Sequence, residues 1–406
     1  MMTDVRILCG PDGSSLADEV CGILGVPSNS VRCYKDWAAM KAGSPSHPDD
    51  CTGDSRIEIP ENVRGRDVYV IQSTCSTPAE HSKNIVELLL VLSALRRSAA
   101  RRVCAIIPYF AYSRQTMRMG GRGPISAADV SILLEEVCID HVVTVDIFRE
   151  QTAGFFSPTC RFDTLSYLPV CARYFWKNGL RDPVIVAPHA STMPKAVEVF
   201  EAFRELHDEA AMAEEPVEGE PSGMDAIAAQ LGAYQEGSAP SVAMLLPIVR
   251  DGAKIHELTG EVDGRDCILV DDIVDTGATI KRSTEELIAR GARSVSAFAT
   301  HGLFSKGSFD RIAASQCKMV VVTNTILTAM SSLAANHPMR RKLVVLSVAP
   351  IIAHHVARLS DLPPPDFDPL MPTYALQGTS GRPGAALDVA ELLRRDEDAI
   401  FGKAQR

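Results

Sequence analysis

The sequence predicts an α/β protein of two similar domains, each a mostly parallel sheet flanked by helices. Three observations predict it. Short, continuous Val/Ile-rich runs alternate with helix-like segments, and a run without period-2 alternation is what a strand covered on both faces requires. The alternation occurs twice, before and after roughly residue 160. The 406 residues are enough for two domains of ordinary size.

Taken in order, Val68 to Ser73 reads as a strand and Asn84 to Leu95 has helical periodicity. Val103 to Pro108 is a buried strand, Ser126 to Val137 a helix with Ser126 as its N-cap, and Val142 to Asp146 a strand again. In the second half, strands are expected at Pro183–Ala187, Val242–Pro247, Cys267–Val270, Ser294–Thr300 and Met319–Thr323. A helix from Thr279 to Arg290 stops at Gly291, which supplies the left-handed residue of a C-terminal stop. Two stretches break the pattern. Residues 38–53 are rich in Ser, Pro, Asp and Gly; residues 205–240 carry several Glu, three Pro and neither Lys nor Arg. Both read as solvated insertions, the second doubling as an acidic docking segment if it has a function at all. The expected organisation is a first domain over 1–160 and a second over 161–340. A last segment, 341–406, is expected to pack back in part on the first domain and to end in a disordered tail.

Hydrophobic residues make up 46% and charged residues 23%, values of a water-soluble globular chain. The formal net charge of -10 argues against a broad nucleic-acid or membrane-binding surface, though not against a local phosphate site. The 11 cysteines are scattered without a C-x-x-C pair, so no zinc or redox motif is expected and reduced thiols in a cytoplasm fit best. Cys9, Cys104 and Cys267 lie in apolar runs as small core residues. No segment has the length and apolarity of a membrane span, and the start lacks the pattern of a secretory leader. His189 and the pair His354–His355 have no zinc-site spacing and read as hydrogen-bonded structural residues.

The sharpest signal is the run CILVDDIVDTGAT, residues 267–279. An apolar strand leads into two carboxylates, a Gly-containing loop and a helix. Loop N–H groups and a helix N-terminus suit a dianionic phosphate. Gly277 allows close backbone approach, and Thr276 and Thr279 offer hydroxyl donors. Asp271 and Asp272, set before the loop rather than in it, can accept from the two hydroxyls of a ribose without repelling its phosphate.

This loop resembles that of the type I phosphoribosyltransferases and of the phosphoribosyl pyrophosphate synthetases, and other segments select the synthetases (ribose-phosphate diphosphokinases). They are NVRGRDVYVIQS at 62–73, PYFAYSRQ at 108–115, RGPIS at 122–126, QTAGFF at 151–156, THGLF at 300–304 and VVTNT at 321–325. A phosphoribosyltransferase would also need a base-binding hood, and none is found. The resemblance covers about residues 5–360 apart from the insertions. It implies two type I phosphoribosyltransferase-like domains and transfer of the β,γ-diphosphoryl group of Mg-ATP to the C1 hydroxyl of ribose 5-phosphate. It also implies Mg2+ as cofactor, ATP or ADP as nucleotide, and homo- or hetero-oligomers with related chains. Carried over, Asp271, Asp272, Asp275, Thr276, Gly277, Ala278 and Thr279 would hold ribose 5-phosphate, and Arg114 and Gln115 would contact the nucleotide, with Tyr34 stacking on it.

Several groups that the resemblance expects are replaced. Phe148 stands where a histidine would help hold the metal-nucleotide, and a phenyl ring offers no ligand atom. The expected Pro-Asp-x-Gly-Gly pyrophosphate loop reads Pro188 to Thr192, with His189 for the acid and side chains in place of both glycines. The catalytic loop's Lys-x-Arg pair is absent after the strand at 242–247, leaving Arg250 as the substitute cation, with Arg118 a second source of charge. Losing one transition-state cation typically costs roughly 10²–10³ in rate. The sequence therefore reads first as a synthetase-family subunit of reduced or no intrinsic activity that assembles with active paralogues. The second reading is an active but divergent ribose-phosphate diphosphokinase.

Overall fold

A computed structural model describes residues 5–10, 15–34, 55–75, 80–118, 120–213, 240–250, 253–326, 333–334, 336–360 and 362–373, in places without side chains. The 38–53 insertion, residues 214–239 of the second insertion and the tail beyond 373 lie outside the described residues. So does the disorder expected of that tail.

Two sheets carry the chain. In the first, β1 (Val5–Cys9), β2 (Asn29–Ser30), β5 (Asp67–Ile71), β6 (Arg102–Ile107), β7 (His141–Val145) and β8 (Arg161–Leu165) lie in the order β2-β1-β5-β6-β7-β8, all parallel. A small antiparallel ribbon joins β3 (Arg32–Tyr34) to β4 (Arg56–Glu58). In the second sheet β9 (Val184–Ala187), β10 (Ser241–Arg250), β11 (Ala253–Thr259), β12 (Asp266–Val274), β13 (Ser294–Gly302), β14 (Met319–Thr323) and β15 (Leu343–Leu346) lie in the order β11-β10-β9-β12-β13-β14-β15. Every pair in it is parallel except β10–β11, an antiparallel hairpin.

The helices among the described residues are α1 (Ser15–Leu24), α2 (His81–Arg97), α3 (Ser126–Glu136), α4 (Leu168–Lys177), α5 (Met193–Ala213), α6 (Ala278–Ala289), α7 (Ser308–Ala313) and α8 (Ala349–Leu359). The central strands are buried at every position (β5, β7 and β9 throughout), which is why their sequence is mostly apolar, with Asp67, His141 and Thr144 as buried polar exceptions. α8 belongs in sequence to the second half but packs its Ile352, Ala353 and Val356 into the same core as α1 and the Tyr69, Cys104 and Val143 face of the first sheet. Cys9, Cys104 and Cys267 are buried free thiols, as their apolar settings predict.

Two local expectations need correction. Ser126 is the first helical residue of α3 rather than its cap; Ile125 takes that position, and the Ser126 hydroxyl donates instead to Gln115 Oε1 at 2.7 Å. The acidic stretch from Glu205 begins as helix, since α5 runs on to Ala213. Glu, Ala and Leu are strong helix formers, so charge alone does not make a loop there. No helix among the described residues is long and apolar enough to cross a membrane.

Candidate functional site

The chain leaves β9 for β10 on one side and returns to β12 on the other, so the C-terminal ends of β9 and β12 flank a crevice where successive crossovers diverge. Open parallel sheets place ligands at such switch points. Two loops meet there: residues 188–192 after β9, and residues 275–277 after β12.

Asp271 and Asp272 lie on β12, only 9% and 7% exposed. The Asp272 amide donates to Asp271 Oδ1 at 2.9 Å. Burial first, and the adjoining Asp272 second, push Asp271 up to about 8. Past them the backbone turns at Gly277, whose φ of +72° suits a residue without a Cβ. A Cβ there would stand 2.7 Å from Ile312 Cγ1. Thr276 and Ala278 are exposed and Thr279 half-buried, so the loop and the first turn of α6 present hydroxyls and a helix N-terminus, with the Ala278 amide donating to the Thr276 hydroxyl at 3.4 Å. Arg311, from α7, donates to the Thr276 carbonyl and pins the loop from outside.

The opposite wall comes from the first half. Arg114 reaches Asp275 Oδ2 at 3.3 Å, with half of its side chain exposed. An ion pair so open contributes about 0–1 kcal/mol, so the guanidinium is readily given up to a ligand. Gln115 is exposed beside it. The rings of Tyr109 and His301 meet edge to face at 5.0 Å, closing the wall beneath. The structure thus brings Arg114 and Gln115 toward the 271–279 loop. The side chains of Tyr34 and Arg250 lie outside the described ones, but Arg250 ends β10 at the tip of the β10–β11 hairpin. There Lys254 pairs with Val249, one register place from Arg250.

Beneath the crevice the two halves share a polar seam. Asp146, at φ +41°, accepts from the Thr300 hydroxyl and from the Tyr167 amide at 3.2 Å. Burial raises its pKa against the opposing pull of Lys195. Ser73 donates to the Thr325 carbonyl at 2.8 Å, and Tyr167 to the Ser347 carbonyl at 3.0 Å. The Lys195 ammonium is buried without a hydrogen-bond partner, close enough to Asp146 and Asp271 to oppose their raised pKa values. Burial first, and Lys195 second, press His301 down to about 3, so it is neutral. Lys195 is the residue sequence reading missed. Its only linear signal is a lone lysine in the first turn of the helix that follows the 188–192 loop.

Of the replaced positions, the 188–192 loop borders the crevice directly. His189 Nε2 stands 3.7 Å from Asp271 Oδ1. Burial lowers its pKa, with Asp272 pulling the other way, so the ring meets the carboxyl as a neutral base. Its Nδ1 is tied to the Ser191 hydroxyl at 2.8 Å. Phe148 is half-buried, and the Arg149 guanidinium covers its ring at 5.5 Å from the centroid.

Comparison with known proteins agrees with this geometry. Residues 5–137 match the N-terminal domain of ribose phosphate pyrophosphokinase, and residues 180–362 the phosphoribosyl synthetase-associated domain. The chain is 37% identical over 364 residues to a ribose-phosphate pyrophosphokinase of Granulibacter bethesdensis, covering 88% of this chain and 97% of that one. It is 32% identical over 360 residues to the ribose-phosphate pyrophosphokinase of Rhizobium meliloti, with the same coverage. Among solved structures, the phosphoribosylpyrophosphate synthetase from Mycobacterium smegmatis superposes with a TM-score of 0.66 at 26% identity, over 88% of this chain and 99% of that one. Two matched domains in the right order, and identity above 30% along nearly the whole length of these relatives, place the chain in the ribose-phosphate pyrophosphokinase family.

Proposed function

We propose that the chain binds ribose 5-phosphate in the Asp271–Thr279 loop and an ATP- or ADP-class nucleotide against Arg114 and Gln115. As an isolated chain it transfers pyrophosphate weakly, and it acts as a subunit alongside active relatives. One observation carries this reading: the 271–279 loop keeps every residue expected of a sugar-phosphate loop, while Phe148 stands where the resemblance expects a metal-binding histidine. Mg2+ takes oxygen ligands in near-octahedral geometry. Phe148 supplies none, and Arg149 over its ring adds a positive charge on that side. That wall does not fit a magnesium ion of its own. His189 puts an imidazole beside Asp271, and Ala190 to Thr192 put side chains where a pyrophosphate needs bare backbone.

On the binding side, the loop amides and the Thr276 and Thr279 hydroxyls receive the 5-phosphate, and Asp271 and Asp272 accept from the ribose hydroxyls. Asp275 lies between loop and wall, paired to Arg114, and orders both when sugar and nucleotide are present together. Titration calorimetry with ribose 5-phosphate tests the assignment. Wild type binds; Asp275→Ala loses binding while its sedimentation profile is unchanged. Unaltered affinity in that variant overturns the assignment of the loop.

A second reading, an active divergent pyrophosphokinase, is favoured by two specific features. Lys195 keeps an ammonium behind the paired carboxylates, and β10 ends on Arg250 at the hairpin tip. Those cations would stabilise charge developing on the transferred group. The readings separate in a turnover assay on the chain alone.

A further inference from the structure

Away from the crevice, three side chains meet that no linear spacing connects. His141 opens β7, Asp163 lies on β8, and the register pairs His141 with Arg161 and Val143 with Asp163, so His141 and Asp163 share one face of the sheet edge. His355, on α8, lies over that face. His141 Nε2 is 2.9 Å from Asp163 Oδ2, and His355 Nε2 is 3.3 Å from the same oxygen. One ligand-capable atom from each of the three lies within 4.8 Å of the others. His355 Nε2 is buried with no hydrogen-bond partner. The two imidazoles meet edge to face at 6.1 Å, which leaves the space between their nitrogens to Asp163.

These distances suit a cation. Ligand bonds of about 2.0–2.2 Å in a tetrahedral site put neighbouring donor atoms roughly 3.3–3.6 Å apart, and the three atoms, all within 4.8 Å of one another, would draw together to close on one ion. We propose that His141, Asp163 and His355 bind a divalent transition-metal cation of the zinc class. Two imidazoles and one carboxylate select Zn2+, Co2+ or Ni2+ over Mg2+, which prefers an all-oxygen shell. Burial keeps both rings below the ordinary histidine range against the pull of Asp163, so they are neutral bases rather than members of an ion pair. Arg161 Nη2 holds Asp163 Oδ2 from outside at 3.1 Å, fixing the carboxylate's orientation as an outer partner does in metal sites. His141 also lines a cavity of ≈ 210 Å³ bordered by Asp67, Arg102, Asp140, Arg161 and Leu359, which gives an ion an approach at the N-terminal edge of the first sheet. The ion would fasten α8, the helix that follows β15 of the second sheet, to the outer strands of the first, at the end of the sheet opposite the ligand crevice. Metal binding displaces any proton shared by the His141–Asp163 pair and cross-links residues far apart in the chain. It thereby stabilises the folded state alone.

The test uses the untagged full chain, stripped with chelator and titrated with Zn2+ and with Co2+. The expected result is one equivalent of Zn2+ by calorimetry, visible Co2+ bands of a nitrogen/oxygen site, and a rise in unfolding temperature of roughly a few degrees. Millimolar Mg2+ should not compete. His141→Ala and His355→Ala each lose the calorimetric step and the Co2+ bands. His354→Ala, whose Nε2 is engaged with the Phe367 carbonyl, keeps both. Should an alanine variant fail to fold, His355→Gln and the wild-type Co2+ spectrum decide. Absence of a stoichiometric step in wild type overturns the proposal. So does thiolate-to-cobalt charge transfer, which would place the ion on cysteine, or binding that survives both histidine substitutions.

Discussion

Gly277→Ala adds a single methyl at the turn into α6, where φ is +72° and the nearest atoms are Ile312 Cγ1 at 2.7 Å and Cδ1 at 2.9 Å. The left-handed backbone costs an L-residue about 1–2 kcal/mol. Overpacking costs about 1–3 kcal/mol more. Ile312 is fully buried, so it cannot swing clear without disturbing its own neighbours. The substitution should therefore cost about 2–5 kcal/mol, divided between stability and ligand affinity according to whether the loop holds or moves. If 2 kcal/mol falls on binding, ribose 5-phosphate affinity drops about thirtyfold. Urea unfolding and calorimetry on the same preparations measure both shares. Ile312→Ala supplies the control. Alone it leaves a cavity and costs about 2–5 kcal/mol, but in the Gly277→Ala background it removes the atoms that the new methyl meets. The pair should be less than additive by more than about 0.5 kcal/mol. Unchanged stability together with unchanged affinity, or strict additivity, would refute the claim that this turn is fitted to a glycine.

Thr300→Val removes one of the buried donors to Asp146 and should cost about 1–3 kcal/mol in chemical denaturation; a change under a few tenths would mean the seam is not structural. Phe148→His alone should raise pyrophosphoryl transfer by less than about tenfold, since the loop cations would still be missing; a gain above about a hundredfold in AMP release would show those losses matter little. For Asp271 the folded-state value, about 8, lies above the ordinary 3.8. Its protonated form therefore favours the fold fully below about pH 4, and that contribution is lost as pH climbs toward 8. Ligand-free unfolding midpoints should fall over that window, with a shallower slope in Asp271→Asn; parallel slopes would contradict the assignment.

The fold was legible because both sheets are mostly parallel and covered, so strands such as Val103–Ile107 and Met319–Thr323 announce themselves as unbroken apolar runs. The loop proposed to hold phosphate stands out for a different reason: its carboxylates, glycine and threonines lie within the nine residues 271–279, so local backbone geometry alone brings them together. What the sequence hid is what only tertiary packing assembles. Lys195 has no linear tie to Asp146 or His301, yet all three converge beneath the crevice. His141, Asp163 and His355 come from a strand start, an edge strand and the last described helix, so no spacing rule reaches them.

The central claim is that an intact ribose 5-phosphate loop sits in a subunit with little transfer chemistry of its own. AMP release by the purified chain alone, from Mg-ATP and ribose 5-phosphate, measured beside ribose 5-phosphate binding on the same sample, tests it most directly. The account predicts saturable sugar-phosphate binding with turnover at least about a hundredfold below the usual 1–10³ s⁻¹ range. Turnover within that range, or failure to bind ribose 5-phosphate, would contradict it.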